Sequence, residues 1–380
     1  MRISSRGDVA PFIVMDVMEA ARLEEAKGRH IIHMEVGQPA TGAPKGAIEA
    51  LKSAMDAGPL GYTVALGLPA LRARIAEMYL ARYGVQIAPE RVVVTAGSSA
   101  GFLLSFISLF DVGARVAIGD PAYPSYRNIL KSQGLETVRI ETNTASNFQP
   151  MPEQLDEDLA GLLVASPSNP TGTMLGKAEL AALAAACKKN DIAFISDEIY
   201  HGIEYNTRAV SALEVSDDVY VINSFSKYYS MTGWRVGWMV VPQNHVRRIE
   251  RLSQNLFICA PHAAQVAALA AMECDDELQA HLKTYTRNRE VLIEGLPKAG
   301  FGNFASPDGG FYIYADVSDL TNDSRALAAE ILQDAGVAVT PGLDFDPERG
   351  HKTLRFSYAR STSDMIEGVA RLQKWFKSRR

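Results

Sequence analysis

Residues Leu162–Tyr200 read LLVASPSNPTGTMLGKAELAALAAACKKNDIAFISDEIY, and three patterns succeed one another within them. Leu162–Ala165 is a short apolar run, closed by a turn that carries Pro167, Pro170 and Gly172. Lys177–Lys189 then spaces its leucines and alanines as a helix does, and Ala193–Ser196 is a second apolar run. Strand, helix and strand in that order predict parallel strands beneath a covering helix.

The alternation extends in both directions. Further strands are expected at Arg91–Thr95, Arg115–Gly119, Thr137–Glu141, Val219–Asn223 and Arg235–Val241, with helices around Ala100–Phe110 and Pro124–Gln133. The fold class is therefore α/β, a mostly parallel seven-stranded sheet between helices. From Asn244 to Lys298 the pattern is helical, with a polar break near Asp275 and Asp276. Beyond it, strands at Gly310–Val317, Val337–Thr340 and Thr353–Tyr358, with helices near Ser324–Asp334 and Asp364–Lys377, predict a smaller α+β domain. The expected division is an N-terminal segment 1–45 packing with the small domain, a large domain 46–275 and a small domain 276–380.

Composition narrows the function. The chain has 380 residues, 47% of them hydrophobic and 22% charged, the balance of a folded protein long enough for two cores. A formal net charge of −6 argues against a nucleic-acid binder, which needs a basic face to displace counterions. Cys187, Cys259 and Cys274 are odd in number and scattered, which suits a reducing compartment. The N-terminus does not read as a signal peptide, and no apolar stretch is long enough to span a bilayer, so the expected location is the cytoplasm. His30 and His33 have no acidic or cysteine partner in the pattern, and no metal site is expected.

In open α/β sheets ligands sit beyond the carboxyl ends of the strands, so the residues just past each apolar run carry the chemistry. Past Val219–Asn223 comes Ser224-Phe-Ser-Lys-Tyr-Tyr-Ser-Met-Thr-Gly-Trp-Arg235. Lys227 there suits an amine nucleophile whose basicity partial burial would lower, while Ser224, Ser226 and Arg235 are donors for a phosphate. Asp197 ends the Ala193 run and suits the protonated nitrogen of a pyridine ring, or equally the cap of a helix. Tyr200, three residues on, could reach an oxygen on that ring. Asn169 lies in a rigid turn and offers an amide donor, although Asn in turns is common for local reasons. Gly97, Ser98 and Ser99 open a helix whose first amides suit an anion, unless Ser98 merely caps it. Tyr123 could stack on a flat ring or simply pack. In Thr353–Tyr358, Arg355 alternates against Leu354 and Phe356, facing either water or a carboxylate in a cleft.

Taken together and in this order, these fragments resemble the class I/II aminotransferases, enzymes of fold type I that depend on pyridoxal 5′-phosphate. The resemblance runs from about Val36 to Arg355. It implies that Lys227 carries the cofactor covalently, that Asp197 pairs with its ring nitrogen, and that Asn169 and Tyr200 meet the ring oxygen beneath Tyr123. It implies a phosphate held at Gly97, Ser98, Ser99, Ser224, Ser226 and Arg235, and a substrate carboxylate held by Arg355 near Gly37. Tyr62 matches a tyrosine that crosses to a neighbouring subunit, which implies a homodimer.

The expected reaction is exchange of an amino group between an L-amino acid and a 2-oxo acid by a ping-pong route. Ser98 stands where some relatives carry a lysine, and Val9-Ala-Pro-Phe-Ile-Val14 is uncharged, so a neutral or apolar donor is expected unless Arg6 or Arg22 folds in. The alternative on the same scaffold is a β-eliminating carbon–sulfur lyase. A cofactor-sensing DNA-binding regulator is disfavoured, because the chain lacks both the charge and the length before Val36 for a helix-turn-helix.

Overall fold

The computed structural model describes residues 1–379. In chain order its helices and strands are α1 (Ile13–Ala26), β1 (Ile32–His33), α2 (Lys45–Ala57), α3 (Pro69–Tyr83), β2 (Val92–Thr95), α4 (Ser98–Leu109), β3 (Arg115–Asp120), α5 (Pro124–Ser132) and β4 (Glu136–Glu141). Next come β5 (Gly161–Ala165), α6 (Lys177–Lys189), β6 (Ala193–Asp197), β7 (Tyr220–Ser224), β8 (Gly237–Val240), α7 (Val246–Leu256), α8 (His262–Ala271) and α9 (Asp275–Gly295). The chain ends with β9 (Asn303–Phe304), β10 (Tyr312–Asp316), α10 (Ser324–Glu330), β11 (Val337–Ala338), β12 (Thr340–Pro341), β13 (Thr353–Ser357) and α11 (Thr362–Ser378).

The seven-stranded sheet has the order β2-β8-β7-β6-β5-β3-β4. All its pairs are parallel except those of β8, which runs antiparallel to β2 and β7. The strands are apolar on both faces because both faces are covered. Val116, Ile118, Leu163, Ile195, Ile222 and Met239 pack with Phe102 and Phe106 of α4, Leu130 of α5 and Ile249 of α7. Their neighbours Ala117, Leu162, Val164, Phe194, Val221 and Val240 face the other way, toward Ile75 of α3, Leu183 of α6 and Ala267 of α8. This period of two is the pleat made visible. Each fully buried Val, Leu or Ile adds about 1.5–3 kcal/mol of burial energy.

A smaller sheet, β12-β13-β10-β9, is antiparallel, and β1 pairs in parallel with β11. The strand expected at Val337–Thr340 is thus two: Val337 and Ala338 pair with β1, whereas Thr340 and Pro341 pair with β13. The helical region after Asn244 breaks at Asp275 as expected and also between α7 and α8, where Ile258 is left-handed and Pro261 cannot continue a helix. Helices α2 and α3 fill a stretch that shows no assigned pattern in the sequence, although Pro69 at the start of α3 and left-handed Gly84 at its end are recognisable punctuation.

His33 corrects an expectation. It stands between two acids, Nδ1 2.8 Å from Glu35 and Nε2 3.1 Å from Glu25, and the bond to Glu35 chiefly holds its pKa above the ordinary value. Glu25 comes from α1, which the local pattern near His33 does not reveal. No described helix is long and apolar enough to cross a membrane.

Candidate active site

Strands β2, β3, β5, β6 and β7 end at the same edge of the sheet, and the segments leaving them converge on one cleft. Of the residues singled out from sequence, Gly37, Ser98, Ser99, Tyr123, Asn169, Asp197, Tyr200, Ser226, Lys227, Arg235 and Arg355 line it. Gly97, Ser224 and Tyr62 do not. Ser224 lies buried behind the cleft, its hydroxyl donating to Ser226 Oγ (2.9 Å) and the Val236 carbonyl (3.1 Å). Tyr62 is 81% exposed on the surface.

Lys227 sits after β7 in the tight loop that leads to β8. Its Nζ donates to the Gly37 carbonyl at 2.6 Å and lies 5.8 Å from the centre of the Tyr200 ring. Burial pulls its pKa down to about 8, with Arg355 and Arg235 pushing the same way and Asp197 opposing. An amine so placed is partly neutral near physiological pH, as a nucleophile must be.

Asp197 ends β6 and is buried. Its Oδ1 accepts from the Ile199 amide at 3.0 Å and its Oδ2 from the Tyr126 hydroxyl. The next element among the described residues is not an α-helix, so the acid is not a helix cap. Burial raises its pKa to about 6 despite those two bonds. Among the described residues no cation forms a salt bridge with it, and the nearby Lys227 only lowers its pKa through space, which leaves a buried carboxylate without a direct cationic partner. Tyr126, which supplies the hydroxyl, is not picked out by the sequence pattern, although it lies on α5 three residues after Tyr123.

Gly97 occupies the N-cap position of α4 at φ 77°, and no described side chain caps that helix. Capping by Ser98 is therefore excluded, and the first amides open toward the cleft. A Cβ on Gly97 would lie 2.2 Å from Arg235 Nη2, so only glycine lets the guanidinium close over this turn. Arg235 itself is left-handed at φ 53°, a conformation that costs a non-glycine residue about 1–3 kcal/mol and is found most often at ligand sites.

Arg355 is 3% exposed and faces the cleft, not water. Leu354 and Phe356, its neighbours on β13, turn into the core. The guanidinium is braced by Asn169 Oδ1 (2.9 Å) and the Glu35 carbonyl (2.5 Å), and it lies over the rings of Tyr312 (4.3 Å) and Phe345 (4.5 Å). Its Nε is buried with no hydrogen-bond partner among the described residues. Tyr312 also lines the cleft and shares a 2.8 Å hydroxyl pair with Tyr200. It can approach only because residue 37 is glycine, whose Cβ would lie 1.7 Å from the Tyr312 hydroxyl.

The remaining wall is apolar. Phe12, Val14, Met15 and Met18 lean in from the N-terminal segment, and Phe102 from α4. Arg22 stays outside, tied to Glu19 at 2.7 Å, and Arg6 does not line the cleft. The cations lining the cleft are Lys227, Arg235 and Arg355.

The chain matches the family model for aminotransferase class I and II over residues 29–372. It is 44% identical to a valine–pyruvate aminotransferase of Mycobacterium tuberculosis, over 99% of each sequence. A crystal structure of an aminotransferase from M. tuberculosis superposes with a TM-score of 0.97 at 44% identity, and a solved chain from Silicibacter pomeroyi with a TM-score of 0.95 at 62% identity; both comparisons cover all of each chain.

Proposed function

The chain belongs to the class I and II aminotransferases, and from that membership we propose how its own residues divide the work of amino-group transfer. It is a transaminase dependent on pyridoxal 5′-phosphate, acting on an amino acid and a 2-oxo acid. When bound, the cofactor supplies a carbon that accepts and returns the amino group and a ring that withdraws electrons from the substrate's α-carbon.

One observation carries the residue assignments: an amine of lowered basicity and a buried acid without a salt-bridge partner line the same cleft, with the buried Arg355 facing into it. These donors fit the group. Lys227 would hold it covalently and Asp197 its ring nitrogen. Asn169 and Tyr200 would meet the ring oxygen and Tyr123 the ring face. The amides at Ser98 and Ser99, with Ser226 and Arg235, would bind its phosphate; Gly97, whose own amide donates to the Thr95 carbonyl at 2.8 Å, would shape the turn that presents them, and Ser224 would orient Ser226. Arg355 would grip the substrate carboxylate beside Gly37 and so orient the α-hydrogen toward Lys227. Once released from the cofactor, the Lys227 amine would carry that proton off and return it, as base and then acid. Each half-reaction exchanges one acid for another, giving ping-pong kinetics.

For the donor we infer a neutral, apolar and branched side chain. The lining cations are already engaged in these assignments, and the free wall is Phe12, Val14, Met15 and Met18. The valine–pyruvate relative agrees with this choice. A homodimer is proposed from the family resemblance, with the exposed Tyr62 reaching the neighbouring site; three free cysteines suit a cytoplasmic location.

The test is spectral. Amino acids added singly to the yellow holoenzyme should convert its absorbance to that of the aminated cofactor, and 2-oxo acids should restore it. Branched apolar donors should outperform aspartate and glutamate; the reverse order would overturn the donor assignment. Release of pyruvate and ammonia from cystathionine without an oxo acid would favour elimination. Arg355→Lys should weaken every donor by about 1–3 kcal/mol in kcat/KM, the scale of a disturbed charge-assisted pair. Unchanged steady-state kinetics with several donors would remove Arg355 from this role.

A further inference from the structure

We propose that Asp344 is a positioning residue whose carboxylate seats helix α1 against the cleft and thereby sets which substrate side chains fit. The inference rests on the reading of this cleft as the amino-acid site.

Helix α1 has no cap of its own. Phe12 stands at its N-cap position without a side-chain acceptor. The first amides of a helix need acceptors from elsewhere. Here they find them 331 and 330 residues away: Ile13 N donates to Asp344 Oδ1 at 3.0 Å and Val14 N to Asp344 Oδ2 at 3.2 Å. Asp344 is fully buried, and an anion at this end of a helix is also favoured by the helix dipole.

The same residue is tied to helix α5, beside the large sheet. The Asp344 carbonyl accepts from Arg127 Nη2 of α5 at 2.6 Å. The adjacent Phe345 carbonyl accepts from the Ala122 amide at 3.1 Å, while its ring packs on the Arg355 guanidinium. Asp344 therefore joins α1, α5 and the segment leading to the substrate-facing strand. Just before α1, the Phe12 ring meets Tyr123 edge-on with centroids 5.9 Å apart. With the carboxylate in place, Val14, Met15 and Met18 are held as a wall of the cleft. Without it the first turn of α1 has unsatisfied amides and the wall can recede. A long apolar substrate side chain then loses contacts that alanine never makes.

The experiment compares wild-type holoenzyme with Asp344→Ala and Asp344→Asn. The asparagine variant keeps the volume but offers one acceptor, and it carries the test if the alanine variant misfolds. Hydrogen exchange at the Ile13 and Val14 amides should quicken by about tenfold, the effect of losing a helix cap. KM for valine or leucine should rise by about the same factor, while alanine shifts by less than about twofold. The absorbance pH titration of the Lys227-bound cofactor should not move. Unchanged exchange at Ile13 and Val14, or an equal rise in KM for alanine and valine, would overturn the proposal. A wild-type holoenzyme that accepts no amino group from any donor would refute the reading of the site instead, and exchange would still judge the contact.

Discussion

Lys227→Ala is expected to abolish the covalent link to the cofactor and to lower turnover by at least about 10⁴-fold, the upper range for removal of a positioned acid–base group. No other lysine among the described residues lines the cleft. After borohydride reduction, the wild-type peptide containing Lys227 should carry the cofactor mass and the variant should carry none. Cofactor found on another lysine would sink the assignment. The pH dependence of loading is a second check on the same amine. Only the neutral form attacks an aldehyde, and burial holds the Lys227 pKa at about 8. The loading rate of apoprotein should therefore rise with pH up to about 8 and then level. A rate that keeps climbing toward the range of an ordinary lysine would mean that the nucleophile is solvated and lies elsewhere.

Asp197→Ala should lower kcat by about 10²–10³-fold, comparable to deleting a donor that acts mainly in the transition state, while cofactor affinity falls by much less. The reason is that a carboxylate beside a ring nitrogen matters most when electrons flow into the ring. Truncation also strands the Tyr126 hydroxyl and the Ile199 amide, a stability loss of about 1–3 kcal/mol. Asp197→Asn should spare much of that stability and still lose turnover, which separates the electrostatic role from folding. Equal losses in kcat and in cofactor affinity, measured by equilibrium dialysis, would count against it. The sign with pH follows from burial, which raises this acid to about 6. Protonation below that value should cost affinity for a cationic ring.

The sheet was legible because its strands announce themselves. Val92–Thr95, Gly161–Ala165 and Ala193–Asp197 are apolar on both faces, and their boundaries fall within a residue or two of expectation. A covered parallel strand has no polar face to confuse the pattern. The residues beyond such runs were legible for the same reason: Lys227, Asp197, Asn169, Tyr123 and Gly97 all lie where an apolar strand has just ended.

Local order was thus written in the chain itself: the period of each strand, the place where it stops, and the reactive residue type just beyond. Which of these ends meet, and which way each side chain turns, was settled by long-range packing alone. The alternation in β13 left Arg355 free to face water or the cleft, and the burial of Leu354 and Phe356 in the core resolved it. Tyr126 and Tyr312 came to line the cleft through partners 71 and 112 positions away, and His33 found Glu25 only because α1 folds back beside β1. The α1 wall likewise depends on an acid 331 residues downstream of Ile13. A hydrogen bond across such a distance leaves no period in the sequence. It exists only once burial has brought the two segments together and left a backbone amide that must find an acceptor.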